Sequence, residues 1–223
     1  MRERFRFLTR FDDDADDYIS DFAGAETLRS ERIEIERRLY ADGTSIVTRE
    51  SRRRFRFDDR PASRRLVIAC RFRLESKQAS ATPVLWTLSN YFDRHAIDAR
   101  ISAEGVELHK AGRDPEFLPL PDAARAGAPV VLVVAPSSTG TTALLQAGDE
   151  PPVPFLLDGL RHATLGTRTL EIAETFTAPG LVLESESLLL FDANEAGPAT
   201  LLEARAVLDR TYSEFCATPA VAD

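Results

Sequence analysis

The sequence predicts an all-β protein, an antiparallel two-sheet β-sandwich with little helix, on three observations. Apolar and polar residues alternate with a period of two in many short segments. Gly, Pro, Asp and Asn separate those segments at the spacing of a sandwich or jelly roll. One segment, PVVLVVAP at residues 129–136, is apolar without alternation, the pattern of a central strand covered on both faces.

In chain order, RFRF at residues 4–7 predicts a first strand with arginines opposing phenylalanines. Residues 32–40 and 45–57 flank Ala-Asp-Gly-Thr, a connection of hairpin length, and are expected to pair. From 65 to 75, Leu66, Ile68, Cys70, Phe72 and Leu74 share one face, which predicts a strand buried on that side and wet on the other. Further strands are predicted at 83–88, 96–102, 106–109, 129–135, 142–146, 163–165 and 181–191. Prolines gather at 113–121 and 148–154, where irregular loops are expected.

The chain has 223 residues, 43% hydrophobic and 29% charged, enough for a core in one domain. The expected division is extra strands and a hairpin at 1–54, a core sandwich at 55–217 and a flexible tail at 218–223. No apolar run approaches the roughly 20 residues of a membrane helix, so membrane insertion is not expected. The start shows no secretory signal, which predicts a cytoplasmic location and leaves export by another route open. The net charge of −8 argues against nucleic acid as a partner. That charge is uneven, since residues 1–75 carry a slight basic excess and the remainder all of the acidic one. Two cysteines, Cys70 and Cys216, are too few for a disulfide scaffold, and whether they pair is left open.

The order of segments resembles the concanavalin A-like, laminin G-like jelly roll. The likeness is carried by the hairpin Ala-Arg-Ile-Ser-Ala-Glu-Gly-Val-Glu-Leu at 99–108, the strand, turn and strand across 130–148, and Ala-Thr-Leu-Gly at 163–166. It also includes a closing strand with a short helical turn at 203–215. The resemblance covers roughly 55–217 and implies a lectin-like carbohydrate-binding fold. Three readings follow from it. The first is a non-catalytic binding or assembly module for an acidic glycan or a protein partner. The second is a glycoside hydrolase or polysaccharide lyase of the same fold. The third is a structural virion or surface protein whose edges pair with other copies as a homo-oligomer.

Candidate chemistry is sparse, and an enzyme is the less favoured reading. Arg52, Arg54 and Arg56, with Arg71 and Arg73, would form a ladder able to grip sulfate, carboxylate or phosphate if their strands share a sheet. The competing reading sets Glu34, Glu36 and Glu50 across from them as ion pairs. Tyr91, Arg94 and His95 lie together in NYFDRH and are candidate ligand contacts. Asp12, Asp14 and Asp16 would hold Ca²⁺ if the acidic run binds a cation, since hard cations take carboxylate oxygens; no other cofactor is expected. Glu34 with Glu36, and Glu184 with Glu186, share strand faces as a hydrolase pair would, but each lacks a third carboxylate on that face. Trp86 shares a face with Val84 and Leu88, a core pattern.

Overall fold

The computed structural model describes residues 5–10, 19–20, 30–41, 44–58, 65–76, 82–90, 97–102, 104–110, 112–137, 140–157, 167–193 and 198–208. These form β1 (Phe5–Arg10), β2 (Ile19–Ser20), β3 (Ser30–Ala41), β4 (Thr44–Asp58), β5 (Arg65–Ser76), β6 (Val84–Asn90), β7 (Ile97–Ile101) and β8 (Gly105–Lys110). There follow β9 (Glu116–Pro119), α1 (Asp122–Arg125), β10 (Val130–Ser137), β11 (Gly140–Ala147), β12 (Val153–Leu157), β13 (Thr167–Ala178), β14 (Leu181–Ala193) and α2 (Pro198–Leu208).

All pairings are antiparallel, and they sort into two halves of seven strands. One runs β2-β1-β14-β5-β10-β11-β12, the other β3-β4-β13-β6-β7-β8-β9. The β13–β14 hairpin joins them, and only Thr175–Ala178 pairs with Leu181–Glu184. Beyond that short ladder β13 runs on between β4 and β6, while β14 runs on between β1 and β5. The divergence coincides with two bulges, one between Ala173 and Thr175 and one between Ser185 and Ser187. A bulge adds a residue to one strand, bends it and increases its twist, which lets one hairpin feed two sheets. Ser185 Oγ donates to the Ala173 carbonyl at 2.6 Å and ties the two bulges together.

Between the halves lies the main core, built from Phe55, Phe72, Trp86, Ile97, Leu108, Leu132, Leu170 and Leu190 among others. Cys70 is buried in it with a free thiol, 3.8 Å from the Leu132 carbonyl. Burial pushes its pKa well above the ordinary thiol range, against a smaller opposing effect of its hydrogen bond with Trp86. A second core lies on the outer side of the β1–β12 half. There Leu201, Ala204 and Leu208 of α2 cover Val67, Ala69, Val131, Val133, Leu144 and Leu189. β10 is therefore covered on both faces, as its unbroken apolar run requires.

The 30–58 hairpin pairs as expected, Ser30 with Phe55 through Ala41 with Thr44, and β4 runs unbroken past residue 55. Four expectations need correction. β5 is not wet along its whole second face, because α2 buries Val67 and Ala69. The segments read as irregular loops hold the edge strand β9 at 113–121 and the first two residues of the edge strand β12 at 148–154. Residues 203–208 are helical rather than extended: Pro198 suits a first helical turn, and Leu201, Ala204 and Leu208 recur at helical spacing. The whole of β13 was unread, although Leu170, Ile172 and Phe176 keep one parity and enter the same core; the polar Glu174 at the bulge interrupts that row. The 163–165 strand, residue 216 and the 218–223 tail lie outside the described residues.

Candidate functional site

The arginines of β4 and β5 fall on different halves of the sandwich, so they form two clusters rather than one ladder. In the first, Arg52 lies flat over the sheet, paired with Glu50 and, at 3.4 Å, with Glu171. Its Nη2 crosses β13 to donate to the Val84 carbonyl at 2.7 Å. That carbonyl is free because the β13–β6 ladder begins only at Ile172 opposite Trp86. Arg54 donates from Nε to Glu171 at 2.7 Å and from Nη1 to Glu31 at 3.1 Å. The bond to Glu171 raises the Arg54 pKa further, against the opposing pull of burial. Arg56 is exposed and forms no ion pair among the described residues.

On the other face of β4 two arginines stand directly opposite, Arg32 and Arg53. Like charges in that position repel. Glu174, the extra residue of the β13 bulge, inserts between them, paired with Arg53 and 3.0 Å from Arg32 Nε. Its side chain is only 4% exposed. Ser51 Oγ lies 3.0 Å from Glu174 and 2.9 Å from Glu34, with one proton to give to either. The second cluster repeats the device. Glu186, the extra residue of the β14 bulge, binds Arg71 at 2.6 Å and Arg73. The Arg73 pKa rises through its bond to Glu186.

Glu34 holds Arg32 at 3.2 Å, Glu36 holds Arg49 at 3.2 Å, and Glu184 stands opposite Arg73. Each paired carboxylate thus faces a cation rather than its neighbour. Trp86 is fully buried. Tyr91, Arg94 and His95, like Asp12, Asp14 and Asp16, lie outside the described residues. Among the described residues no three His, Cys, Asp or Glu side chains gather at a metal-binding spacing, and no helix is long and apolar enough to cross a membrane.

The register assembles a feature that the sequence does not display. A cross-strand row runs over the outer side of the β3–β9 half: Glu31 opposite Arg54, Arg54 opposite Glu171, Glu171 opposite Thr87, Thr87 opposite Asp98, and Asp98 opposite His109. Beside it Arg100 binds Asp98 at 3.3 Å, and His109 Nε2 lies 2.7 Å from Glu107. The described helices pack elsewhere, α2 on β5, β10, β11 and β14 and α1 on β5 and β11. Sequence reasoning missed Glu171 and Glu174 with the rest of β13. The alternation of TRTLEI at 167–172 is the signal that could have found the first.

The structure is similar to the receptor binding domain of a botulinum neurotoxin C/D mosaic serotype, with a TM-score of 0.57 at 8% identity. The match covers 94% of this chain and 53% of that one, so the chain spans about half of the toxin domain's length. The fold is the concanavalin A-like jelly roll. Other similar structures are the metal-free lectin I-B4 from Griffonia simplicifolia (TM-score 0.49, 10% identity, 73% of this chain and 93% of that one) and a lectin from Bauhinia forficata in complex with GalNAc (0.44, 10%, 77% and 95%). No protein-family model matches the sequence, and no curated protein does. At such identities the likeness is one of fold, and the jelly roll hosts many functions.

Proposed function

We propose that the chain is a non-catalytic binding module of concanavalin A-like type, which presents the polar outer side of its β3–β9 half to a glycan. One observation carries the reading: the row from Glu31 to His109 crosses that side as acids, cations and a hydroxyl, with Arg54 paired to Glu31 and Glu171 within the row, and Asp98 and His109 held by Arg100 and Glu107 beside it. Mutual pairing fixes the orientation of these side chains without exhausting their hydrogen-bonding capacity. A carboxylate has about four lone-pair sites, and a guanidinium has five N–H donors. Spaced by about 4.8 Å from strand to strand, such groups suit a ligand with many hydroxyls along a chain.

The acidic-glycan form of the reading rests on Arg56, exposed and without an ion pair among the described residues. Arg52, Arg54, Arg71 and Arg73 already hold carboxylates, and an anionic ligand must compete for them. The enzyme reading has less support, because the acids proposed as catalytic pairs are each turned to an arginine. A glycan array probed with the wild-type chain and with an Asp98→Ala, His109→Ala double variant tests the proposal. Binding lost in the variant supports it. An array with no bound glycan, or binding that survives both replacements, overturns it. Arg56→Glu then separates the two forms, since only an acidic ligand loses affinity on that reversal.

A further inference from the structure

β3 is a strand of 12 residues that pairs, among the described residues, with β4 alone. Among the described residues no strand pairs with its other edge, whose N–H and C=O groups are a template for another strand. The segment SERIEIERR along that edge is complementary in charge to its own reverse about Glu34. We propose that two copies of the chain associate through antiparallel β3–β3 pairing about a two-fold axis at Glu34, joining their β3–β9 halves into one continuous sheet.

Sheet continuation keeps every side chain on its own face, so residue i must meet a residue of the same parity on the other copy. With the axis at Glu34, Glu31 lies opposite Arg37, Arg32 opposite Glu36 and Ile33 opposite Ile35. Each pairing occurs twice, as an isologous interface requires. The two Glu34 side chains meet at the axis, where the Arg32 of each copy is a diagonal neighbour of the other copy's Glu34. Moving the axis to Ile35 sets Glu34 against Glu36 and Arg32 against Arg38, like against like. Moving it to Ile33 leaves Glu31 opposite Ile35, and moving it to Glu36 leaves Arg37 opposite Ile35.

The exposures agree with this register. Glu31 and Glu36 side chains are 60% and 50% exposed. Arg37 is exposed and has no ion pair among the described residues. The pairing supplies it with a carboxylate. Edge charges that serve only to block association need no complementarity under a two-fold rotation; these have it in one register.

Sedimentation velocity of the full chain tests the proposal. The wild type should form a concentration-dependent dimer of twice the 24.7 kDa chain mass. Arg37→Glu and Glu31→Arg, each alone, should weaken self-association by about tenfold or more, because each places like charges opposite twice. An equimolar mixture of the two variants should restore the dimer, since the reversed charge on one chain meets the opposite reversal on the other. A wild type that is monomeric at every concentration overturns the proposal, as does a dimer indifferent to Arg37→Glu or a mixture that stays monomeric. Because Glu31 also holds Arg54, an independent variant guards against misfolding. In a Cys216→Ser background, Glu34→Cys should cross-link across the axis on mild oxidation and Glu36→Cys should not. The reverse pattern, or no cross-link from Glu34→Cys, also overturns it.

Discussion

Replacing Glu174 with alanine removes the carboxylate that separates Arg32 from Arg53. Glu174 is 4% exposed and the Arg53 side chain 11%, so the variant leaves a guanidinium buried without its nearest counter-charge. Breaking a buried pair from one side costs about 3–5 kcal/mol. For a chain of this length about 1 kcal/mol corresponds to 2–4 °C in Tm, so the midpoint should fall by about 6–20 °C. Arg32→Ala is the control, because Arg32 reaches the same carboxylate from a side chain 60% exposed to solvent. A screened pair of that kind contributes below about 1 kcal/mol, a shift within about 4 °C. An Arg53→Leu, Glu174→Leu double variant should recover most of the loss, since apolar replacement of a buried pair is often neutral or stabilising. Calorimetry at one fixed protein concentration reads all three, which keeps self-association constant. Equal shifts for Glu174→Ala and Arg32→Ala would refute the reasoning, and so would a double variant less stable than Glu174→Ala alone.

Gly105→Ala should lower stability by about 1–3 kcal/mol in urea denaturation. A Cβ there would meet the Leu118 carbonyl and lie 2.5–2.6 Å from the Phe117 ring, which lies over the glycine; a neutral variant would mean that β9 yields freely. Leu201→Ala should cost about 2–5 kcal/mol and raise dye binding at the uncovered β5–β10 surface, as the fully buried anchor of α2. Cys70 should not react with a thiol reagent at pH 8 until the chain unfolds. Since burial raises its folded pKa, its contribution is full below the unfolded thiol's pKa and is lost as pH climbs above about 9. Relative to Cys70→Ala, the wild type should lose up to about 1.4 kcal/mol per pH unit in that range, and parallel slopes would contradict the assignment.

The strands that could be read from the sequence are those whose side chains keep one parity throughout. β5 shows Leu66 to Leu74 on one face, and the β3–β4 hairpin announces itself by its turn and by alternation on both sides. β10 was legible for the opposite reason, as an apolar run too short for a membrane and too uniform for a half-wet strand. β13 was missed although Leu170, Ile172 and Phe176 keep one parity, because the charged Glu174 at the bulge breaks the row and Thr, Arg and Glu dilute it on either side. α2 was misread because a closing strand was expected at its position, although Pro198 and the Leu201–Ala204–Leu208 spacing favour helix. The polar row was legible only as scattered Asp, Glu, Arg and His, because its members come from six strands and meet through register alone.

The sequence by itself determined the all-β class, the pairing of the 30–58 hairpin, the burial of Phe55, Phe72 and Trp86, and the arginine-rich faces of β4 and β5. These depend on local periodicity and turn chemistry, which neighbouring residues carry. Only the tertiary structure decided what each arginine faces. Arg53 meets a glutamate 121 positions away and Arg73 one 113 away, across bulges whose positions depend on where one hairpin must split between two sheets. Cross-strand partnership is a property of register, and register is fixed by the packing of both halves on one core.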